Sequence, residues 1–340
     1  MQLWLPSTKA EAGADIYITR LKEGLKLLGY ETNESFFSHK LQYFPWLLKG
    51  VNPPNGTRVS LASTWAGFAF KRRNIPLVIV EHHCVFDPAY KPYRNFAQKV
   101  FHEYMLRQFE ASSFKTADAI VTPSHYTANS LSQVFGINPD NITVIHNGVD
   151  TDFYTPEPSG KQSTEGRRIR LLYVGNLSRR KGIDLLPKIM QQLGQDYELY
   201  YTGGLRANKL FSHQKNIHSL GRLTNEELRN EYRKADILLF PSRFEGFGYA
   251  PVEAMACGTP VVTTNCSSLT EVVKDGVTGI LCAIDNVEAF SNAVKNLTQV
   301  PNKLITMGEA GHSYVNEHFS LLTMAKQYLH LFNKLINSSR

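Results

Sequence analysis

Short apolar runs alternate with amphipathic segments along most of this chain. In the first half the apolar runs predict strands at residues 2–5, 59–62, 77–81, 119–121 and 142–145. Segments with helical spacing lie between them, at residues 15–28, 93–114 and 126–135. Strands that are apolar throughout and alternate with helices indicate a parallel sheet that is covered on both faces.

The second half repeats this alternation. Its predicted strands are 169–173, 197–201, 237–240, 260–262 and 280–282. Its predicted helices are 182–193, 225–234, 251–257, 287–298 and 321–336. A polar stretch rich in proline and glycine, 156–166, divides the chain into two α/β units and is the predicted linker. Because ligands of such sheets bind beyond the carboxyl ends of the strands, we expect a site in a cleft between the units.

The composition is that of a soluble globular protein, with 42% hydrophobic and 20% charged residues in a chain of 340. The net charge of +7 is spread over both halves, which argues against a nucleic-acid partner and fits an anionic substrate or a membrane surface. Four cysteines without paired short spacing indicate reduced thiols and a cytoplasmic protein. We expect no signal peptide and no membrane span.

Two carboxylates eight residues apart mark the most informative segment. Glu245 lies in a glycine-rich loop, and Glu253 follows Pro251, a residue that suits the first turn of a helix. Glycines let the backbone approach a ligand, and the first N–H groups of a helix bind phosphate. A carboxylate also accepts hydrogen bonds from a diol such as a ribose. The segment therefore predicts a site for a phosphorylated sugar or a nucleotide.

Three consecutive cations lie between a predicted strand and a predicted helix. Arg179, Arg180 and Lys181 follow the strand that ends at Tyr173 and precede Gly182. Arginine binds phosphate oxygens with a fork of donors, and lysine acts as a point charge. A basic turn that only faces solvent is the alternative. The position at the carboxyl edge of the second sheet favours a phosphate site.

Two adjacent histidines close a predicted strand of the first half. His82 and His83 stand where a side chain can bond a substrate hydroxyl, and a structural role is the alternative. With Cys84 they do not predict a zinc site, because neighbouring residues on a strand point to opposite faces. The turn after the first strand, 7–15, lacks the Gly-x-Gly-x-x-Gly pattern, so it is only a weak phosphate loop.

The predicted helix 93–114 carries several apolar side chains at helical spacing, with cations beside or among them. These apolar residues are Phe96, Val100, Phe101, Tyr104, Met105 and Phe109. The favoured interpretation is one buried stripe opposite a charged face. The alternative is a surface that meets anionic lipid.

Together these segments resemble glycosyltransferase family 4, the retaining transferases of the GT-B fold, over nearly the whole chain. Residues 144–150 resemble the family's signature before its second domain, 173–182 its phosphate loop and 240–262 its Glu-x7-Glu block. The resemblance implies an α/β fold of two Rossmann-like domains that face across a cleft. Its predicted parts are an acceptor domain 1–155, a linker 156–166, a donor domain 167–320 and a C-terminal helix 321–340 packing back towards the first domain.

The resemblance also implies a role for each matching residue. The implied catalytic residues are Glu245, which holds the transferred sugar, Lys181, which binds the diphosphate, and His82, near the reaction centre. Glu253 binds the ribose, and His83 is the acceptor-side candidate. The remaining implied donor contacts are Gly13, Ala14, Asn176, Arg180, Leu223, Phe247, Gly248 and Tyr249. Two of these depart from the family pattern: Asn176 stands in place of an arginine, whose charge Arg179 or Arg180 replaces, and Ala14 in place of a glycine.

The implied function is that of a retaining glycosyltransferase. It moves a hexose-type sugar from a UDP- or GDP-linked donor to a hydroxyl of a glycan or lipid-linked acceptor, in cell-surface polysaccharide biosynthesis. We expect no metal and no cofactor, because lysine and arginine take the place of a cation. We also expect peripheral contact with the cytoplasmic face of the inner membrane. A GT-B sugar-nucleotide epimerase and a catalytically silent nucleotide-sugar-binding protein remain alternatives.

Overall fold

The computed structural model describes residues 2–8, 13–160, 163–203, 211, 214–300 and 302–338, with the backbone alone at Gly13 and Ala14. Its contacts divide the chain into two compact units, Met1–Gly148 with Ser320–Arg340 and Val149–Phe319. Each unit contains one six-stranded parallel sheet with an apolar core on both faces, which confirms the predicted α/β class. The four cysteines form no disulfide.

The first unit orders its sheet β2-β1-β3-β4-β5-β6. Its strands are β1 (Gln2–Thr8), β2 (Thr32–Phe37), β3 (Thr57–Ser63), β4 (Leu77–Val80), β5 (Ala119–Thr122) and β6 (Ile142–Val144). Its first four α-helices are α1 (Gly13–Leu27), α2 (Phe96–Phe101), α3 (Arg107–Thr116) and α4 (His125–Phe135). A π-helical turn, His102–Leu106, joins α2 to α3, and two 3-10 helices follow β2 at His39–Tyr43 and Pro45–Gly50.

The second unit orders its sheet β12-β11-β10-β7-β8-β9. Its strands are β7 (Ile169–Tyr173), β8 (Tyr197–Thr202), β9 (Ile217–Gly221), β10 (Ile237–Phe240), β11 (Val261–Thr264) and β12 (Gly279–Cys282). Its helices are α5 (Leu186–Leu193), α6 (Asn225–Lys234), α7 (Tyr249–Ala256), α8 (Leu269–Val272), α9 (Val287–Gln299) and α10 (Lys303–His318). The strand order reverses between the paired strands β7 and β10, which is where Rossmann-like sheets bind ligands.

The C-terminal helix α11 (Leu321–Ser338) belongs to the first unit and packs on α1. Tyr328 and Phe332 of α11 join the buried core that also contains Tyr17 of α1. Gly24 lets the two helices come close, because a Cβ at this position would lie 2.6 Å from the carbonyl oxygen of Leu321. The predicted linker 156–166 falls in the second unit, and its residues 161–162 lie outside the described residues.

The sequence pattern does not predict β2, β9 or α10. Both strands lie at the edges of their sheets, where partly buried polar residues replace a continuous apolar run. In α10, Gly308 and Gly311 lower the helix propensity. Their missing side chains let α10 lie against the end of α7, since a Cβ at Gly308 would lie 2.2 Å from the carbonyl oxygen of Gly258.

The buried aromatic stripe predicted for residues 93–114 is wrong. Phe96 and Tyr104 are 81% and 78% exposed. The residues that face the core instead are His102, Leu106 and Glu110, which are spaced four apart. Because only one of these three is aliphatic, hydropathy alone does not reveal the buried face of the helix.

Candidate functional site

The loop after β7 rests directly on the loop after β10. Its cations Arg179–Lys181 form a single 3-10 turn, and Gly182 follows with a φ of 74°. The helix predicted to begin at Gly182 begins four residues later, because this left-handed residue ends the turn and α5 starts at Leu186. A Cβ at Gly182 would lie 2.0 Å from the carbonyl oxygen of Pro241. Only glycine therefore fits between the two loops.

Replacing Gly182 with alanine is expected to destabilise the second unit strongly. Gly136 is a matched control, since its φ of 68° is similar and no atom lies within 4 Å of the position of its Cβ. We expect Gly136→Ala to cost about 1 kcal/mol, the ordinary penalty of the left-handed region. Gly182→Ala adds a backbone clash and should cost about 3 kcal/mol or more. Urea unfolding of both variants measures the difference, and equal costs would contradict the packing of the two loops.

Lys181 and Glu245 form a buried ion pair between these loops. The Lys181 Nζ lies 2.5 Å from Oε1 of Glu245, and the side chains are only 15% and 9% exposed. Burial lowers the pKa of Lys181, and the Glu245 carboxylate limits the change. Burial alone would raise the pKa of Glu245, but the charges of Lys181 and Arg180 outweigh it and the pKa is lowered. The pKa of Glu245 is thus shifted towards the carboxylate, whereas that of Lys181 is shifted away from the ammonium form, which the charge and hydrogen bond of Glu245 support.

Two further side chains complete the surroundings of this carboxylate. Ser242 donates a hydrogen bond from Oγ to Oε1 of Glu245 over 2.6 Å. The Arg180 Nη1 donates to the carbonyl oxygen of Phe244 over 2.6 Å and lies 3.8 Å from Oε2 of Glu245. The predicted residues Arg180, Lys181 and Glu245 are thus brought together, with two cations and a hydroxyl around one carboxylate.

The sequence pattern gives no role to Arg243. This residue holds the turn of the three cations, Arg179–Lys181, in place. Its guanidinium donates to both carboxylate oxygens of Asp184 over 2.7 and 2.9 Å, and to Asp285 over 2.6 Å. It also bonds the carbonyl oxygen of Arg179, and its backbone N–H donates to that of Arg180 over 2.8 Å. The hydrogen bonds to Asp184 are the main cause that raises the pKa of Arg243. Arg243 is a positioning residue.

The backbone of the glycine-rich loop is fixed by two buried serines that follow β11. The N–H of Glu245 donates to Oγ of Ser267 over 3.0 Å. The Ser268 Oγ lies 3.1 Å from the carbonyl oxygen of Glu245 and 3.0 Å from that of Phe247, to which it donates. The conformation of the loop on both sides of Glu245 is therefore set without a ligand.

Glu253 is buried on α7, which begins two residues before the predicted start at Pro251. Gly248, with a φ of 105°, precedes the helix, Phe247 is buried and Tyr249 is half-buried. The Tyr232 hydroxyl of α6 donates to Oε2 of Glu253 over 2.8 Å. Tyr232 is fully buried and is a further residue that the sequence pattern does not reveal. It fixes the orientation of the carboxylate predicted to bind the ribose.

Two other predicted donor contacts lie on the same unit. Asn176 is exposed, and its carbonyl oxygen accepts a hydrogen bond from the Tyr173 hydroxyl over 3.1 Å. Leu223 is half-buried and directly precedes Thr224, which caps α6. Their contacts with a donor stay predictions, because neither residue takes part in the hydrogen bonds found around the carboxylates of Glu245 and Glu253.

In the first unit, His82 and His83 follow the end of β4. The partly buried ring of His82 stands edge-on to Tyr17 of α1, with centroids 4.8 Å apart. Loss of hydration lowers the pKa of His82 to about 4, so this ring is neutral at pH 7. His83 packs against Tyr90 at 5.5 Å, and its backbone N–H donates to Oε1 of Glu81 over 3.1 Å.

The turn before α1 is described only in part. Gly13 and Ala14 begin the helix, so their backbone N–H groups have no partner within it. Residues 9–12 and the side chain of Ala14 lie outside the described residues. The donor contacts expected at Gly13 and Ala14 therefore stay predictions.

The carboxyl group before His82 should give the stability of the protein a pH dependence. Burial raises the pKa of Glu81 from 4.5 to about 7, although Thr64 donates to it over 2.7 Å. Its stabilising contribution is complete below pH 4.5 and is lost as the pH rises through 7. From pH 6.5 to 8.5, Glu81→Gln should lose about 1 kcal/mol less unfolding free energy than the wild type. Burial and then the charge of Glu81 raise the pKa of Glu110, so Glu81→Gln also removes the part of that change that Glu81 causes.

Urea unfolding at pH 6.5, 7.5 and 8.5 measures this difference. The window excludes His82, because the lowered pKa of that ring affects stability only between pH 6.5 and about 4. The same pH dependence in both proteins would contradict a proton held by Glu81.

Two family models match adjoining stretches of this chain. The model described as Glycosyl transferases group 1 matches residues 156–314, which contain the Lys181–Glu245 pair. The model described as Glycosyltransferase Family 4 matches residues 58–153, which contain both candidate histidines. The chain belongs to glycosyltransferase family 4. The resemblance drawn from the sequence motifs is thereby confirmed.

Similar proteins place this family 4 chain in a known fold. Alpha-maltose-1-phosphate synthase of Mycolicibacterium smegmatis is 26% identical over 66% of this chain, and the chain spans 65% of that relative's length. Sucrose-phosphate synthase from Thermosynechococcus elongatus has a TM-score of 0.84 at 19% identity, over 99% of this chain and 100% of its own. HepE of Anabaena in complex with UDP has a TM-score of 0.76 at 17% identity, over 98% and 100%. These structures confirm the predicted GT-B fold.

Proposed function

We propose that this family 4 chain is a retaining hexosyltransferase. It moves a sugar from a UDP- or GDP-linked donor to a hydroxyl of a glycan or lipid-linked acceptor, in cell-surface polysaccharide biosynthesis at the cytoplasmic face of the inner membrane. The observation that carries the proposal is the buried Lys181–Glu245 pair at the carboxyl ends of β7 and β10. HepE, which has been solved with UDP and with UDP-glucose, supports a UDP donor.

Glu253 is assigned to the ribose of the donor. A carboxylate accepts about four hydrogen bonds, and the two hydroxyls of a ribose diol can donate to its two oxygens. Tyr232 is a fully buried residue of α6, so its hydroxyl is held in one position. It therefore orients the Glu253 carboxylate before the nucleotide binds. Phe247, Gly248 and Tyr249 at the start of α7 supply backbone N–H groups and a helix dipole suited to the phosphates.

Lys181 and Arg180 are assigned to the diphosphate. An ammonium group has three donors, and Lys181 gives one of them to Glu245, so its charge stays available to a phosphate oxygen. Negative charge develops on the diphosphate as its bond to the anomeric carbon breaks, and a cation already in place stabilises that charge without reorganisation. Glu245 bonds hydroxyls of the sugar and offsets the positive charge that develops on its ring.

The acceptor oxygen forms the new bond on the face from which the diphosphate leaves, and a phosphate oxygen of the leaving group takes its proton. The anomeric configuration is then retained. His82 is assigned a hydrogen bond to the sugar and no proton transfer at pH 7, because its pKa is about 4. Metal independence stays part of the proposal, since Lys181 and Arg180 supply the charge that a divalent cation provides elsewhere.

Two alternatives predict different products. An epimerase converts the sugar nucleotide without any acceptor. A catalytically silent binding protein is stabilised by the nucleotide sugar but does not cleave it, so no free nucleotide is released. The presence of Lys181, Glu245 and Glu253 argues against the silent protein, because a cation beside the diphosphate stabilises the charge that develops only during transfer.

The test begins with a thermal-shift screen of UDP, GDP, ADP and their sugars, because a bound nucleotide raises the melting temperature by mass action. The donor that stabilises the protein is then incubated with a panel of glycan and lipid-linked acceptors. Proton NMR should show a glycoside whose anomeric configuration equals that of the donor. An inverted product, conversion without acceptor, or no turnover with any stabilising donor would each overturn the proposal.

A further inference from the structure

The first unit exposes a large apolar surface that donor binding does not explain. Among the described residues, nine of the sixteen exposed large apolar side chains come from the two short segments 36–47 and 96–105. We call this surface the aromatic face; it consists of Phe36, Tyr43, Phe44, Trp46, Leu47, Phe96, Val100, Tyr104 and Met105. Single exposed apolar residues are ordinary, but a cluster of this size marks a surface that meets a partner.

The two segments of the aromatic face touch each other. Tyr43, in the first 3-10 helix, stands edge-on to Phe101 of α2 with ring centroids 5.1 Å apart. Trp46, in the second 3-10 helix, stands edge-on to Phe109 of α3 at 6.2 Å. The half-buried rings of Phe101 and Phe109 thus pack the first segment against the helices α2 and α3 that border the second.

The aromatic face is held in shape before any partner binds. A capping box fixes the start of α2, in which Asn95 accepts from the backbone of Gln98 over 2.8 Å and its own N–H donates back to the Gln98 side chain over 3.0 Å. Buried Arg94 bonds Glu103 one turn beyond α2, over 3.2 Å. The exposed side chains therefore project from ordered backbone, which reduces the entropy lost on docking.

The same part of the chain carries most of the excess positive charge. Segments 36–49 and 91–107 together contain six Lys or Arg and one carboxylate, a balance of +5 in a chain whose net charge is +7. The single carboxylate, Glu103, is bound by Arg94. The exposed cations of these segments are Lys40, Lys49, Lys91 and Lys99. The two segments that carry the exposed apolar side chains therefore also carry four exposed lysines and one carboxylate.

We propose that the aromatic face docks on an anionic lipid bilayer. Tryptophan and tyrosine settle at the boundary between headgroups and acyl chains, and lysines pair with the phosphates above it. Trp46 and Leu47 of the first segment insert into this boundary, together with Phe96 and Tyr104 of the second. Among the described residues, no helix is long and apolar enough to cross a membrane.

Charge and chemistry favour lipid over the other occupants. In a dimer formed through this face, two copies of the segments 36–49 and 91–107, each with a net charge of +5, would repel each other. A soluble glycan stacks on flat rings, but Leu47, Val100 and Met105 offer it neither a ring nor a hydrogen bond. An anionic lipid surface satisfies both the apolar side chains and the lysines. The inference rests on the proposed function only in that a lipid-linked acceptor is met at such a surface.

Vesicle flotation tests the proposal with the full chain. Vesicles of phosphatidylcholine with one third phosphatidylglycerol should carry the protein to the top of the gradient, and pure phosphatidylcholine should not. Leu47→Ser with Phe96→Ser should weaken the partition at least tenfold. The matched control is Leu27→Ser with Val277→Ser, two exposed residues outside the aromatic face, and should bind as the wild type.

Lysine variants test the electrostatic part separately. Each lysine near an anionic surface contributes about a fivefold gain in partition, so Lys40→Gln with Lys99→Gln should weaken binding about 25-fold. Lys188→Gln with Lys326→Gln, also exposed, is the control. Raising the salt concentration should weaken binding of the wild type and have less effect on the Lys40/Lys99 variant.

The outcome separates this proposal from the proposed function. All variants should keep the melting temperature of the wild type and its thermal shift with the nucleotide donor, because none of the changed residues is assigned to that donor. No flotation with anionic vesicles at low salt, or equal flotation of the aromatic-face variant and its control, would overturn lipid docking. So would sedimentation data showing a dimer that the Leu47/Phe96 change dissolves while vesicles bind neither protein.

Discussion

Replacing Lys181 with methionine should weaken the binding of the nucleoside diphosphate roughly 100-fold. The change removes a charge-assisted donor to phosphate, worth about 1.5–3 kcal/mol, and leaves the Glu245 carboxylate to repel the diphosphate. It should also lower the free energy of unfolding by about 3–5 kcal/mol, because one member of a buried ion pair loses its partner. Calorimetric titration and urea unfolding measure the two effects.

A double variant separates the two roles of this lysine. Lys181→Met with Glu245→Gln removes both charges and should recover most of the lost stability, since no uncompensated charge stays buried. Donor binding should not recover, because the cation for the diphosphate is still missing. If the double variant binds the nucleotide as the wild type does, Lys181 serves only to neutralise Glu245. Lys188→Met, an exposed change on α5, is the control and should alter neither quantity.

Replacing Glu253 with glutamine should remove the recognition of the ribose. A hydrogen bond to a charged acceptor is worth about 1.5–3 kcal/mol, so the variant should bind the nucleotide roughly 10- to 100-fold more weakly. The wild type should prefer UDP or GDP to the 2′-deoxy or 3′-deoxy analogue by a similar factor, and the variant should show no preference. Calorimetry with the four combinations of protein and ligand gives the coupling between carboxylate and hydroxyl.

Two controls sharpen this test. Glu226→Gln changes an exposed carboxylate on α6 and should leave both affinities unchanged. Tyr232→Phe removes the hydroxyl that orients Glu253 and should weaken the nucleotide several-fold while part of the preference for the ribose hydroxyls is kept. A Glu253→Gln variant that still discriminates between the nucleotide and its deoxy analogue would show that another group binds the ribose.

The extent to which sequence predicts this molecule depends on how local each feature is. The strands β7 and β10 are apolar throughout and could be placed within a residue, whereas the partly polar edge strands β2 and β9 could not. The aromatic segment of residues 93–114 misled for a related reason. Its buried face contains a histidine and a glutamate. The apolar stripe, which faces solvent, is therefore predicted to be the buried face.

The candidate site follows the same rule. Lys181, Glu245 and Glu253 could be named because each lies in a local motif. The contact between the first two could not be derived, since 64 positions separate them. The roles of Arg243 and Tyr232 could not be predicted, because their partners lie far along the chain. The sequence around each residue does not indicate which side chain it contacts.

The central claim is that the ion pair of the second unit belongs to a binding site for a nucleoside diphosphate. Calorimetric titration of UDP and of GDP into the wild type and into the Lys181→Met/Glu245→Gln variant tests it most directly. We predict that one of the two nucleotides binds the wild type with one-to-one stoichiometry, and that the folded double variant binds it roughly 100-fold more weakly. Equal affinity in both proteins, or no binding of either nucleotide to the folded wild type, would contradict the claim.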